Sequence, residues 1–115
     1  MKEFNVKFRL CDSEFLTALR LCAGAVCSLA DLDVDAIEDF KVCVTESANI
    51  LKNGGFEEVT ACFSVDGSVC CRLSGEGGKT VAGDNELSLA LIGALVSDCK
   101  IEKNGEVISK VTLKI

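Results

Sequence analysis

In residues 35–53, apolar side chains recur at steps of three and four: Ile37, Phe40, Val44, Ala48 and Leu51. That period belongs to a helix, so the segment is predicted as a helix of about five turns with one buried stripe. Asp33 or Asp35 is placed to cap its start, and Asp35, Glu38 and Asp39 suit the positive end of the helix dipole. Gly54-Gly55 ends it, because glycine reaches a left-handed C-terminal cap at little cost. The rest of the chain is organised around this helix. Asp39, Val42, Glu46, Asn49 and Asn53 form a second stripe on it. A carboxylate followed on one face by carboxamides is able to hold a hydrated metal or polarise a water. The alternative is a solvated face.

Around that helix the period changes twice. Residues 3–10 alternate strictly, Phe4, Val6, Phe8 and Leu10 against Glu3, Asn5, Lys7 and Arg9, which predicts a half-buried strand. Asp12 or Ser13 then caps a helix to about Ala30, with Phe15, Leu19, Cys22 and Val26 on its inner side. Gly24 in that helix weakens it slightly or permits a close approach. Beyond Gly55 the period becomes two, with Val59, Ala61, Phe63 and Val65 on one face. Asp66-Gly67 is a hairpin turn in which both positions are expected at positive φ, and residues 68–74 return as a strand. After a Gly-rich polar loop, a third helix starts at Asp84-Asn85; it is apolar nearly all round and is expected to be deeply buried. Residues 100–103 and 106–115 form a last hairpin about Asn104-Gly105. The predicted order is β-α-α-β-β-α-β-β. It implies a single α/β domain over residues 1–115, a two-layer sandwich with a mixed, mostly antiparallel sheet and three helices on one face.

Composition narrows the function. The formal net charge of −6 and the scattered cations argue against nucleic acid and anionic membrane as partners. No apolar run approaches the ~18 residues of a membrane span, and no signal-peptide pattern opens the chain, so a cytoplasmic location is expected. The eight cysteines sit inside apolar patterns, without a Cys-x-x-Cys pair and without any histidine. They are read as reduced, mostly buried small hydrophobes, not as a disulfide scaffold or a zinc site. Without histidine, any acid–base work falls to a carboxylate.

This order and three stretches resemble the ATP-binding domain of the GHKL group, shared by sensor histidine kinases, Hsp90, gyrase B and MutL. The resemblance is nearest to the bacterial anti-sigma-factor serine kinases and covers residues 3–115. Asp35-Ala-Ile-Glu-Asp-Phe-Lys-Val-Cys-Val-Thr-Glu-Ser-Ala resembles the helix of their first nucleotide motif. Val69-Cys-Cys-Arg-Leu-Ser-Gly-Glu-Gly77 sits where the strand and Asp-x-Gly loop of the second lie. Asn85-Glu-Leu-Ser-Leu-Ala-Leu-Ile92 sits where the Gly-x-Gly-Leu helix of the third lies. The resemblance implies Glu46 as the catalytic base and an asparagine on the magnesium of ATP.

The departures are as informative as the match. The fourth position after Glu46 is Ile50; Asn49 lies one residue early, rotated by about 100°. Asn49 or Asn53 is left as the magnesium ligand. Gly75 replaces the adenine-facing aspartate, with Glu76 beside it, and Gly75 and Gly77 are the nucleotide-loop candidates or merely a turn. Glu86 and Ser88 replace the phosphate-facing glycines, the lid is shortened to about residues 77–84, and Lys79 is its one cation. The expected function is that of a degenerate anti-sigma-factor-kinase-like regulator, with ATP binding weak or lost and no cofactor required. It would bind a sigma factor or a small anti-anti-sigma protein, with a homodimer as a further expectation. The alternatives are an active ATP- and magnesium-dependent serine kinase or ATPase with a rearranged site, and a structural homodimerisation module.

Overall fold

A computed structural model describes residues 2–115. Strand β1 (Lys2–Arg9) leads into α1 (Glu14–Cys27) and the central helix α2 (Val34–Asn53). A hairpin of β2 (Glu58–Val65) and β3 (Val69–Glu76) follows, then α3 (Glu86–Leu95) and a hairpin of β4 (Asp98–Asn104) and β5 (Val107–Lys114). The element order is the one the periodicity predicts. The start of α2 is fixed by Asp33, whose carboxylate accepts a hydrogen bond from the Ala36 amide at 2.7 Å.

The five strands lie in the order β1-β2-β3-β5-β4, and every pairing is antiparallel, which corrects the expectation of a mixed sheet. The reason is in the connections. Two helical passes between β1 and β2 return the chain in the opposite direction. The single pass through α3 leaves β4 running parallel to β3, but β5 lies between them and opposes both.

One face of the sheet carries the core. Val59, Ala61 and Phe63 of β2, Val69, Cys71 and Leu73 of β3, and Ile108, Val111 and Leu113 of β5 are buried there against the helices. The opposite face is polar. Its central rows are built from Cys62, Ser64, Cys70, Arg72, Lys110 and Thr112. α2 lies at the middle of the helical layer, and Phe40, Cys43, Val44, Ser47, Ala48, Ile50 and Leu51 are buried along it. Ser47 meets the cost of its burial by donating its hydroxyl to the Cys43 carbonyl at 2.8 Å.

Several local expectations are corrected. In α1 the buried residues are Leu19, Ala23, Val26 and Cys27, whereas Phe15 is exposed and Cys22 half-buried. The helix is turned because its Arg20–Gly24 side faces α2: Arg20 Nε donates to Thr45 Oγ1 at 3.3 Å, and a Cβ on Gly24 would lie 3.4 Å from Cδ of Lys41. α3 is not deeply buried; Ile92 is its one buried residue, Leu87 is 88% exposed and Leu91 is 40% exposed. It touches α2 and β4 along a narrow side, and no described residue covers the rest. Among the described residues no non-glycine residue has positive φ, so Asp66 does not, and Gly67 alone takes that conformation in a loop closed by the Val65–Val69 pair. The last hairpin turns on Gly105-Glu106 between Asn104 and Val107, with only Gly105 at positive φ, the type II′ pattern.

Candidate functional site

Glu46 lies in the C-terminal half of α2, half-buried, and faces α3. Its Oε2 accepts a hydrogen bond from Ser88 Oγ at 2.9 Å. Ser88 stands in the first turn of α3, the one hydroxyl between Leu87 and the apolar run Leu89 to Ile92. Glu46, Leu87, Ser88, Ala90 and Leu91 together line an open groove of about 530 Å³ whose wall is mostly apolar. The thiol of Cys43, one turn before Glu46, is pushed up to about 11, first by burial and then by the neighbouring acidic groups of Asp39, Cys99 and Glu46.

The other predicted residues do not converge on Glu46. Asn49 is half-buried and Asn53 exposed, and neither side chain makes a hydrogen bond among the described residues. Gly75 is in β3, paired with Val59, and the ring of Phe56 lies flat against it; a Cβ there would come 2.5 Å from the ring. Its glycine therefore serves packing at the sheet end. Gly77 sits beside the Glu57 side chain, 3.5 Å from the position its Cβ would take. None of Asn49, Asn53, Gly75 or Gly77 lines the Glu46 groove.

The segment after β3 is seated on the end of α2. Gly55 and Gly78, both at positive φ, bring their backbones together, and a Cβ on Gly55 would collide with the Lys79 carbonyl. The Val81 amide donates to the Gly54 carbonyl at 2.8 Å. This ties the backbone of the expected lid to the helix end, while the side chains from Gly77 to Asp84 stay exposed, that of Lys79 included. A separate cavity of about 260 Å³ at the start of α3 is bounded by Asp84, Asn85, Glu86, Lys103 and Glu106. Beside it, Asn85 Oδ1 is buried without a hydrogen-bond partner among the described residues.

Each position of the expected magnesium-nucleotide site has its own neighbours in the fold. The carboxylate that would activate a nucleophile is engaged by Ser88. The position that would face adenine carries no side chain and is covered by Phe56. Three carboxylates face one lysine where the phosphates would approach the start of α3, and like charge disfavours an anion there. No group of three or more Cys, Asp or Glu side chains is arranged to hold a metal ion among the described residues. Sequence reasoning named Glu46 but missed Ser88 as its partner; the signal was a lone hydroxyl in an apolar helix, which periodicity alone does not pair with anything. No protein-family model matches the sequence, and no curated protein aligns with it significantly.

Proposed function

We propose that this chain is a regulatory protein of the anti-sigma-factor-kinase type that works by binding another protein, with ATP binding weak or lost. The observation that carries the reading is the Ser88–Glu46 hydrogen bond, which holds the expected base against α3. Beside it α3 presents Leu87, Ala90 and Leu91 to solvent, an apolar surface bordered by a carboxylate. Such a patch suits an apolar partner segment with a donor group at its edge. The resemblance in sequence supplies the candidate class: a sigma factor or a small anti-anti-sigma protein.

Calorimetry with ATP and magnesium tests the nucleotide half. No heat is expected at about 100 μM ligand, and no thermal shift, since stabilisation follows RT ln(1 + [L]/Kd). A clear micromolar isotherm that vanishes in Glu46→Ala or Asn49→Ala would sink the reading in favour of a working kinase with Asn49 or Asn53 on magnesium. For the partner half, Leu87→Glu is expected to abolish binding to a sigma factor or anti-anti-sigma protein without lowering the melting temperature.

A further inference from the structure

The cations of this chain are scattered in sequence, yet four of them meet on the open face of the sheet. Thr112 lies outward on β5, the strand between β3 and β4. Its cross-strand neighbours are Arg72 on β3 and Lys100 on β4. Lys110 and Lys114 stand two residues before and after it on the same face, because Val111 and Leu113 between them point into the core. Directly opposed residues have Cβ atoms about 5 Å apart, and residues two apart on a strand are separated by about 7 Å. One hydroxyl is therefore bordered on all four sides by positive charge.

Outward positions on a sheet are free to carry any polar side chain, and like charges on neighbouring strands repel. The chain as a whole is acidic, with a formal net charge of −6, so this local excess runs against its composition. Local departures of this kind mark functional positions. Carboxylates are at hand on β4, where Asp98 is opposite Lys114 and Glu102 opposite Lys110. Yet the ion pairs among the described residues are Lys7–Glu76 and Lys41–Glu38, and neither involves the four cations. Set against Asp98 and Glu102, those cations keep an excess of two positive charges.

The patch has room as well as charge. Arg72, Lys100, Lys110 and Thr112, with Cys62 and Ser64, line a concavity of about 560 Å³. That lies within the ~300–1,000 Å³ of small-molecule sites. An extended polyanion would meet Glu3 at one edge of the sheet and Asp98 and Glu102 at the other. A compact dianion above Thr112 reaches the cations without crossing either edge. A phosphate monoester has that form: nearly two negative charges at neutral pH and three acceptor oxygens on one group. The guanidinium of Arg72 suits two of those oxygens at once, and the lysines supply point charges on flexible stems.

We propose that the open face of the sheet is a binding site for a small organic phosphate monoester, whose phosphoryl group is held above Thr112 by Arg72, Lys100, Lys110 and Lys114. The site lies across the sheet from the Glu46–α3 groove and stands independently of the regulatory reading.

An amide NMR titration of the full chain with glucose-6-phosphate tests it. In about 50 mM salt, saturable shifts centred on Thr112 are expected, with a Kd on the order of 1 mM. Glucose itself is expected to shift nothing. Arg72→Gln, and Lys100→Gln combined with Lys110→Gln, are each expected to weaken binding about tenfold while the core amides keep their positions. Lys52→Gln, on the helical layer, is expected to leave the Kd unchanged. The proposal is overturned by a wild type that shows no saturation up to about 20 mM ligand, by shifts centred elsewhere, or by a Kd indifferent to the Arg72 and lysine variants. Inorganic phosphate binding as tightly as the sugar phosphate overturns the assignment to an organic ester. A phosphoserine peptide binding more tightly than the sugar phosphate overturns it in favour of a protein partner.

Discussion

At the scale of single residues, the same side chain serves packing or chemistry according to what stands next to it. Gly75 was a candidate for nucleotide contact, yet the Phe56 ring occupies the space where a side chain would be. Gly75→Ala is therefore expected to cost ~1–3 kcal/mol in a urea unfolding titration, as overpacking does. Combined with Phe56→Ala, the two effects should fall short of additive, because the clash and the lost packing share one site. Glu46 is the opposite case, a charged residue given a specific partner. Ser88→Ala removes the 2.9 Å bond and is expected to destabilise by about 1 kcal/mol. A change near zero in chemical denaturation would mean that water replaces the serine hydroxyl without loss.

At the scale of elements, α2 and α3 show how far an apolar pattern predicts burial. On α2 the stripe residues Phe40, Val44, Ala48 and Leu51 have no exposed surface. Val44→Ala is expected to cost ~1–3 kcal/mol as a large-to-small change in the core. α3 has more apolar residues per turn, but only Ile92 is fully buried, with Leu89 and Leu95 half-buried against the core. The helix should answer substitution unevenly: Ile92→Ala is expected to lose ~2–5 kcal/mol, while Leu87→Ala changes the unfolding midpoint by less than about 0.5 kcal/mol equivalent. Equal losses at both positions would mean that Leu87 is covered. An amphipathic stripe states which way a helix must face, whereas a uniformly apolar helix states only that it can be buried from any side. The packing of α2 against β3 and β5 leaves α3 a narrow seat near β4.

Across the whole molecule, the eight thiols are all free, and only Cys27, Cys43 and Cys71 are buried. The expectation that most are buried is corrected: Cys11 is exposed and Cys22, Cys62, Cys70 and Cys99 are half-buried, because several face the open side of the sheet or the outside of α1. Native alkylation should modify Cys11 early and the three buried thiols last, while denatured protein without reductant should yield close to eight free groups. Burial also links the thiols to stability. Cys27 and Cys43 are raised to about 11 from the ordinary 9.0, chiefly by desolvation. Below about pH 9 both are protonated whether the chain is folded or not, and their contribution is intact. Between about 9 and 11 the unfolded chain releases these protons first, so stability falls as pH rises. The urea midpoint is expected to drop across that window and to drop less in a Cys27→Ala, Cys43→Ala variant.

The eight elements, their order, the stripe of α2 and the inward rows of β2 and β3 were legible in the residues alone, and the cap of α2 was narrowed to Asp33 or Asp35. Each is a local matter of side-chain period, glycine placement or capping chemistry, which a few consecutive residues specify. Which apolar surfaces find cover depends on how the layers pack. Most of α3 is as apolar as the core, and no local rule tells a covered apolar surface from an uncovered one. The same holds for the candidate site. The face that groups Glu46 with Asn49 and Asn53 follows from helical geometry, but the bond to Ser88, 42 residues further on, and the seating of residues 77–84 on Gly54 and Gly55 depend on long-range packing. Contacts between segments distant in sequence are set by how the layers fit together, and the periods within each segment carry no information about that fit.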